Sequence, residues 1–379
     1  MFEYFDSNYA WNLTAISLMD EIGTVSQPCE VFASVKAIED QPIAVSGAAW
    51  YDAMVEMAER MEALAETDLA AGNELTSSRK FHRAATYYSR ADRIIPHDDP
   101  RQLVAYRRML IDYRKARELG RDGVEFVEIP FGDGFMPALL VRAWNGTDTP
   151  PIVVHIQGFD SIKETQFPML QEYRRRGLSL LIVDQPGAGG ALRLHGLTAR
   201  YDSEDYVATI IDWITARADI ATNRIGLCGL SMGGYFAPRA AAFEPRVKAV
   251  AAWGALHNAI ELAIPARRDG DTSAPSVPSP LNHALWVFGA NTIEELAVVF
   301  TKMDLDGVVE QIACPLLVVH GELDRQVPLA HATRTFERAI AADKTLKIFT
   351  SSEGGAEHCQ VDNRAIAADY ISDWFASRL

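Results

Sequence analysis

From residue 124 onward the sequence alternates short apolar runs with segments of helical periodicity, and this alternation strongly constrains the fold. The apolar runs cover residues 152–156, 178–183, 225–228, 247–252, 316–319 and 346–349. Between them apolar residues recur every three or four positions, as in residues 203–218, which is typical of amphipathic helices. Because strands that alternate with helices pair in parallel, the sequence predicts an α/β fold with a mostly parallel sheet covered on both faces. A β-hairpin is predicted before it, over residues 124–129 and 136–141.

Residues 1–118 have a different pattern, with helical periodicity and no convincing strand. Two sets of apolar residues, the apolar stripes, recur at the three- and four-residue spacing of one helix face. The second set follows Pro100, which predicts a helix start there. Their members are Trp50, Met54, Met57, Met61 and Leu64, then Leu103, Tyr106, Met109, Leu110 and Tyr113. We predict a helical N-terminal cap domain over residues 1–118, which helps to roof the active site of a catalytic domain over residues 119–379.

One interval interrupts the alternation. About sixty residues separate the run that ends at 252 from the run that begins at 316, and they include a Pro- and Ser-rich stretch at 269–280. Such a length is unusual for a plain connection in a compact domain. The sequence therefore predicts a lid insertion at about residues 255–310.

The pentapeptide Gly229-Leu230-Ser231-Met232-Gly233 lies directly between an apolar run and a helical segment. A serine in a strand-turn-helix setting, flanked by glycines, is typical of a nucleophile elbow. The glycines are needed because the tight turn brings backbone segments too close together for a Cβ atom. The motif predicts that Ser231 is a catalytic nucleophile.

A serine hydroxyl needs a base to take its proton, and in this arrangement an acid and then a histidine follow the serine along the chain. Asp324 follows the run at 316–319 and precedes Val327-Pro328, with Glu322 as the alternative acid. His358 lies in a glycine-containing loop after the run at 346–349, whereas His331 is expected to lie on a helix and face solvent. The sequence predicts a Ser231–Asp324–His358 triad on an α/β-hydrolase fold.

Attack on a carbonyl places negative charge on its oxygen, so two backbone N–H donors are also expected. One donor is predicted to be the N–H of Met232, which follows the nucleophile. The other should come from the loop after residues 152–156, for which we predict the N–H of Phe159.

Composition excludes several other functions. A net charge of −15 is unsuited to binding nucleic acid, and no apolar stretch reaches the eighteen residues of a membrane span. The N-terminus lacks the basic start and apolar run of a signal peptide. The four cysteines show neither CxxC pairing nor the spacing of metal ligands, and residues 187–190 lack the Lys-Ser/Thr of a phosphate-binding loop. We therefore expect a cytoplasmic enzyme with reduced thiols, no metal and no cofactor.

Several further segments together resemble the family that contains 2,6-dihydroxypseudooxynicotine hydrolase and the fermentation-respiration switch esterase. They are residues 98–101, 155–164, 184–189, 244–246, 253–254 and 312–315, in the same order. The resemblance implies a helical N-terminal part that caps the site, often a dimer, and a Ser-Asp-His triad. This sequence differs from the family in the oxyanion loop, where Gln157-Gly158 replaces the Gly-Gly pair that is common in the family. Glu261 falls close to the sequence position at which the pseudooxynicotine hydrolase carries an additional acidic residue. The resemblance therefore implies a substrate-side acid at Glu261, and the alternative is a solvated glutamate on a helix.

Some members of that family, including fungal relatives that shorten polyketides, cleave carbon–carbon bonds beside a ketone. The expected substrate is thus a small molecule with a reactive carbonyl, either a carboxylic ester or a β-dicarbonyl compound. Two alternatives remain open: acyl transfer or cyclisation by the same triad, and a non-catalytic binding module on a hydrolase scaffold.

Overall fold

The computed structural model describes residues 2–144, 149–263 and 275–379. The chain divides into two compact units, Met1–Val124 with Ala274–His283, and Glu125–Ser273 with Ala284–Leu379. Part of the segment predicted as a lid therefore groups with the helical unit. The first half of the Pro- and Ser-rich stretch at 269–280, residues 269–274, lies outside the described residues.

The described residues of the first unit form five α-helices of 10 to 28 residues. They are α1 (Tyr9–Ile22), α2 (Ser26–Val35), α3 (Ile43–Ala70), α4 (Glu74–Ile94) and α5 (Pro100–Gly120). Helix α5 begins at Pro100, as the sequence predicts, because proline suits the first helical turn and the Asp99 side chain accepts the N–H of Arg101 at 2.9 Å. Helix α4 packs against both α3 and α5.

The two apolar stripes are buried except at one or two positions each. Trp50, Met54, Met57 and Met61 are buried, as are Tyr106, Met109 and Tyr113. Leu64 and Leu103 depart from this pattern, being 42% and 36% exposed, and Leu110 is only partly buried. At 3.6 residues per turn the buried face continues at Ala65, four residues after Met61, and at Gln102, four residues before Tyr106.

The second unit is built on an eight-stranded sheet in the order β1-β2-β4-β3-β5-β6-β7-β8. The strands are β1 (Val124–Phe131), β2 (Gly134–Val141), β3 (Ile152–Ile156), β4 (Ser179–Val183), β5 (Ile225–Leu230), β6 (Val247–Trp253), β7 (Leu316–Gly321) and β8 (Lys344–Phe349). Strand β2 pairs with β4 antiparallel, and every described pairing from β4 to β8 is parallel. The predicted mostly parallel sheet is confirmed.

Helices follow the strands of this sheet. They are α6 (Lys163–Gln166), α7 (Gln171–Arg175), α8 (Gly189–His195), α9 (Ser203–Thr215), α10 (Gly233–Phe243), α11 (Ile260–Ala263), α12 (Pro280–Phe288), α13 (Ile293–Lys302), α14 (Leu329–Arg338) and α15 (Arg364–Ala376), with α12 lying across the boundary between the units. The predicted apolar face of α9 is buried in one hydrophobic core with α10 and the central strands. The fold thus brings the C-terminal ends of β3, β5, β6 and β7 to one edge, where α/β sheets carry their sites.

Among the described residues, no single helix is both long and apolar enough to cross a bilayer. Helices α12 and α13 meet that test only as a pair, and the pair is bent by 69°.

Candidate active site

Ser231 lies on a sharp turn between β5 and α10. Its backbone is left-handed, with φ of 58°, a conformation that costs a non-glycine residue roughly 1–2 kcal/mol. The flanking glycines are required sterically, because a Cβ on Gly229 would lie 1.9 Å from the Gly233 carbonyl oxygen. A Cβ on Gly233 would lie 3.0 Å from the carbonyl oxygen of Gln157 in the loop after β3. The turn therefore has the geometry of a nucleophile elbow and holds the serine against that loop.

Ser231, His358 and Asp324 are brought together from three separate strand ends. The Ser231 Oγ lies 2.8 Å from His358 Nε2, and His358 Nδ1 lies 2.7 Å from Asp324 Oδ2. Asp324 follows β7, and His358 follows β8 in a short 3-10 turn, His358–Gln360. These contacts form the continuous hydrogen-bonded chain that a serine needs to lose its proton to a neutral imidazole.

The carboxylate of Asp324 is fully satisfied by its neighbours. Its Oδ1 accepts the N–H groups of Gln326 at 2.8 Å and Val327 at 2.9 Å. Its Oδ2 lies beside His358 and 3.3 Å from Nε2 of the buried His320. Because His320 Nε2 is also 2.8 Å from the Val327 carbonyl oxygen, which only accepts hydrogen bonds, this nitrogen must carry a proton.

Burial and charge act in opposite directions on the titration of this pair. Burial disfavours the charged imidazolium, but the adjacent Asp324 carboxylate, together with Cys359 at 3.4 Å from His358 Nε2, outweighs it and raises the pKa of His358 well above its usual value. Burial likewise opposes ionisation of Asp324, yet the nearby His358 holds the pKa of the carboxyl below its usual value. The ionised carboxylate thus favours the imidazolium that forms when Ser231 gives up its proton.

The alternative acid and the alternative histidine have other partners. Glu322 is exposed and accepts hydrogen bonds from the N–H and hydroxyl of Ser351. The prediction that His331 faces solvent is wrong, because its side chain is buried and its Nδ1 accepts the N–H of His257 at 3.2 Å. Helix α14 turns that face toward the sheet, which the early-helix position of His331 did not reveal.

The loop after β3 is fixed by two reciprocal contacts. Gln185 accepts the N–H of Gln157 at 2.8 Å and donates to its carbonyl oxygen at 3.0 Å. The N–H of Gly158 donates to Ser161 Oγ at 2.8 Å. The N–H groups of Gln157 and Gly158 are thus engaged, and the N–H of Phe159 stays our prediction for the oxyanion donor from this loop. The N–H of Met232, the second predicted donor, donates no hydrogen bond within the part of the chain that the structure describes.

Behind this loop lies a buried ionic cluster that is not predicted from the sequence. The Lys163 Nζ is 2.9 Å from Asp184 Oδ2 and 2.6 Å from Glu164 Oε1, and all three side chains are buried. Asp184 also accepts the N–H groups of Lys163 and Gly190. Burial raises the pKa of Glu164. The cluster ties the loop to the segment after β4, and in the sequence it shows only as the adjacent charges Lys163-Glu164 and as Asp184 directly after β4.

Glu261 does not join the hydrogen-bonded chain of the triad. It lies on α11 with its side chain about half exposed, and its Oε1 is 2.9 Å from Nη1 of Arg334. Its Oε2 lies 3.7 Å from Nε2 of His331. This geometry is that of a surface ion pair, so a role as a substrate-side acid stays a prediction.

One group of side chains in the described residues has atoms close enough to hold a metal ion: His257, Asp304 and Asp306. Asp306 is already bound by His257 Nε2 at 2.9 Å and by the guanidinium groups of Arg334 and Arg338. Two adjacent guanidinium groups oppose the binding of a cation. The group is therefore better described as an ion-pair network.

Comparison with known proteins gives two family matches. The prolyl oligopeptidase family matches residues 169–379, and the FrsA-like esterase family matches residues 43–265. The 2,6-dihydropseudooxynicotine hydrolase of Paenarthrobacter nicotinovorans is 26% identical over 95% of this chain and 89% of its own. The 20-hydroxy-prefusarin hydrolase FUS2 of Gibberella moniliformis is 28% identical over 86% and 87%.

Among solved structures, that of 2,6-dihydroxy-pseudo-oxynicotine hydrolase superimposes with a TM-score of 0.77 at 25% identity, covering 96% of this chain and 95% of its own. The resemblance drawn from the sequence motifs is confirmed, as is the predicted fold class. The protein is an α/β hydrolase that belongs to the prolyl oligopeptidase and FrsA-like esterase families.

Proposed function

We propose that this hydrolase cleaves an acyl bond by nucleophilic catalysis, with Ser231 as nucleophile, His358 as general base and Asp324 as its orienting acid. The observation that carries the proposal is the pair of hydrogen bonds, 2.8 Å and 2.7 Å, that joins the three side chains. The left-handed backbone of Ser231 supports it, because such strain is kept where the surrounding structure requires it.

In the proposed reaction, His358 takes the proton of Ser231 while Oγ attacks the substrate carbonyl carbon. The N–H groups of Met232 and Phe159 would stabilise the resulting oxyanion, which is worth several kcal/mol in such sites. The tetrahedral intermediate then expels its leaving group, which takes the proton from His358. Water, deprotonated by His358, attacks the acyl-enzyme and releases a carboxylic acid and free Ser231.

The leaving group decides between two bond types. An alkoxide leaving group would make the protein a carboxylesterase. An enolate, stabilised by a second carbonyl, would make it a carbon–carbon bond hydrolase that acts on a β-dicarbonyl or polyketide-like compound. The names of the relatives, an oxynicotine hydrolase and a prefusarin hydrolase, support a small-molecule substrate with a reactive carbonyl.

The nucleophile is tested by Ser231→Ala, with Ser372→Ala as a matched control because Ser372 is also buried and hydrogen-bonded in the same unit, to the Ala368 carbonyl. A fluorophosphonate probe should label the wild type and Ser372→Ala but not Ser231→Ala. Loss of turnover should be on the order of 10⁴-fold or more for Ser231→Ala. Labelling of Ser231→Ala, or residual activity above a tenth of wild type, would remove Ser231 from the reaction.

Product analysis separates the remaining alternatives. Wild-type enzyme is incubated with p-nitrophenyl esters and, separately, with β-diketones, and the products are identified by mass spectrometry. An acid plus a ketone from a β-diketone indicates carbon–carbon cleavage, and an ester or amide formed from an added alcohol or amine indicates acyl transfer. No labelling and no turnover in either series would favour the non-catalytic binding module.

We further propose that residues 1–118 and the segment at about 255–310 select the substrate, with the triad supplied by the second unit. This follows from the apolar helix stripes and from the absence of a catalytic motif in residues 1–118 of the sequence. Deleting residues 1–118 should destroy solubility or specific activity. A deletion variant that begins near Val124 and stays soluble and fully active on the natural substrate would contradict this.

We also propose that the enzyme is a cytoplasmic homodimer. The family resemblance supports the dimer, and all four cysteines are free thiols. Light scattering coupled to size-exclusion chromatography should give twice the chain mass of 41.8 kDa.

A further inference from the structure

Backbone strain is concentrated at the candidate active site. Among the described residues, four non-glycine residues have a left-handed backbone, and one of them, Arg121, merely ends helix α5. The other three are Ser231, with φ of 58°, and the consecutive pair Cys359 and Gln360, with φ of 48° and 51°. The pair directly follows His358. The nucleophile and the base are therefore both carried by strained turns, which must be held by other contacts.

All three strained residues form a hydrogen bond with Trp253. The Trp253 carbonyl oxygen accepts the N–H of Ser231 at 2.7 Å and the thiol of Cys359 at 3.5 Å. The indole Nε1–H donates to the Gln360 side-chain oxygen at 2.7 Å. Trp253 and Gln360 are completely buried, so these contacts are shielded from water.

Trp253 is itself held on the rigid part of the fold. It is the last residue of β6 and pairs in register with Leu230 of β5 and Val319 of β7. The N–H of the following residue, Gly254, donates to the Val319 carbonyl at 2.8 Å. A Cβ on Gly254 would lie 2.5 Å from Cys359 Sγ. Glycine is therefore needed for the loop that carries His358, residues 354–360 (the base loop), to approach this strand end.

We propose that Trp253 is a positioning residue that sets the distance between Ser231 and His358. It holds the nucleophile turn through its carbonyl and the base loop through its indole N–H. This inference rests on the proposed function and adds to it a device that fixes the geometry of proton transfer.

A second set of contacts holds the base loop without reaching the nucleophile. The Asp362 carboxylate accepts three consecutive N–H groups, those of Gly355, Ala356 and Glu357, at 3.0 to 3.1 Å. These bonds shape the loop before His358. The Trp253–Gln360 bond acts after His358 and links the loop to the strand end that also binds Ser231.

The test removes the hydrogen bond between the Trp253 indole and the Gln360 side chain by changing either the donor or the acceptor. Trp253→Phe deletes the indole N–H and keeps an aromatic ring, and Gln360→Met deletes the acceptor and keeps a similar length. The readout is covalent labelling of Ser231 by a fluorophosphonate over a range of concentrations, which gives a limiting rate and a half-saturating concentration. The matched control is Trp50→Phe, since the Trp50 indole also donates inside a buried core, to the Arg90 carbonyl at 3.0 Å, but in the helical unit.

Each single variant should lower the limiting labelling rate about tenfold, the value of one buried hydrogen bond, while the half-saturating concentration changes less than about twofold. The double variant should be no slower than the slower single variant, because both substitutions remove the same contact. Trp50→Phe should label at the wild-type rate even where its melting temperature falls. If Trp253→Phe does not fold, Gln360→Met gives the same comparison.

Labelling at the wild-type rate in Gln360→Met, or an equal loss in Trp50→Phe, would overturn the positioning role. Additive losses in the double variant would do the same. Failure of the proposed function looks different, because the wild type itself would then not be labelled at Ser231.

Discussion

Replacing Asp324 by Asn tests the proposed triad where the hydrogen-bonding partners are best defined. Oδ1 of Asp324 accepts two backbone N–H groups, from Gln326 and Val327, so the oxygen of an Asn amide must take this position. The amide NH₂ then occupies the position of Oδ2, 2.7 Å from His358 Nδ1 and 3.3 Å from His320 Nε2. A group that accepted two hydrogen bonds is replaced by one that donates.

The consequence for the base follows from its tautomer. With a donor facing Nδ1, His358 must carry its proton on Nε2, where it points at the Ser231 Oγ instead of accepting from it. His320 cannot relieve the conflict, because its Nε2 must keep a proton for the Val327 carbonyl. We expect kcat to fall roughly 10⁴-fold. At 1.36 kcal/mol per factor of ten, this corresponds to about 5.4 kcal/mol of lost transition-state stabilisation.

The assay compares Asp324→Asn with Glu322→Gln, which alters a nearby exposed carboxylate bonded to Ser351. Rates of ester hydrolysis and of fluorophosphonate labelling are measured across pH. Because Asp324 raises the pKa of His358, wild-type activity should be lost as pH falls through a value above 6.5, and this limb should move to lower pH in Asp324→Asn. Asp324→Asn activity within tenfold of wild type, or a larger loss in Glu322→Gln, would refute the assignment.

Two further changes test other parts of the structure. Gly158→Ala should slow labelling of Ser231 by tenfold or more, because the new Cβ would lie 2.8 Å from Ser231 Cβ and 3.0 Å from the Leu230 carbonyl oxygen. Circular dichroism should show little change in secondary structure. Labelling at the wild-type rate would contradict this. Burial raises the pKa of Asp112 to about 7, and neither of its oxygens has a hydrogen-bond partner among the described residues. The folded-state pKa is above the unfolded one, so stability should fall as pH rises from about 4 to about 7. The melting temperature of Asp112→Asn should therefore exceed that of wild type by several degrees more at pH 8 than at pH 5. Asp52→Asn, at an exposed position, should show no such difference between the two pH values.

The sequence by itself determined the architecture and the identity of the candidate site residues. Apolar runs that alternate with helical segments favour a parallel sheet covered by helices, and each run corresponds to a strand in the structure. The Gly229–Gly233 motif predicts the turn at Ser231 because the close backbone approaches in this turn require glycine at both flanking positions. These signals can be recognised in the sequence because each is a pattern of residue types at short, regular spacing.

The tertiary structure decided what surrounds those residues. The burial of His331 and the exposure of Leu64 depend on which neighbour covers a helix face, and spacing along the chain does not specify this. The Trp253–Gln360 bond joins residues 107 positions apart, and a buried tryptophan and a buried glutamine carry no periodicity that would pair them. Hydrogen bonds across such separations form only after the sheet has brought its strand ends together, so the groups that hold the candidate active site in shape became visible only in the folded chain.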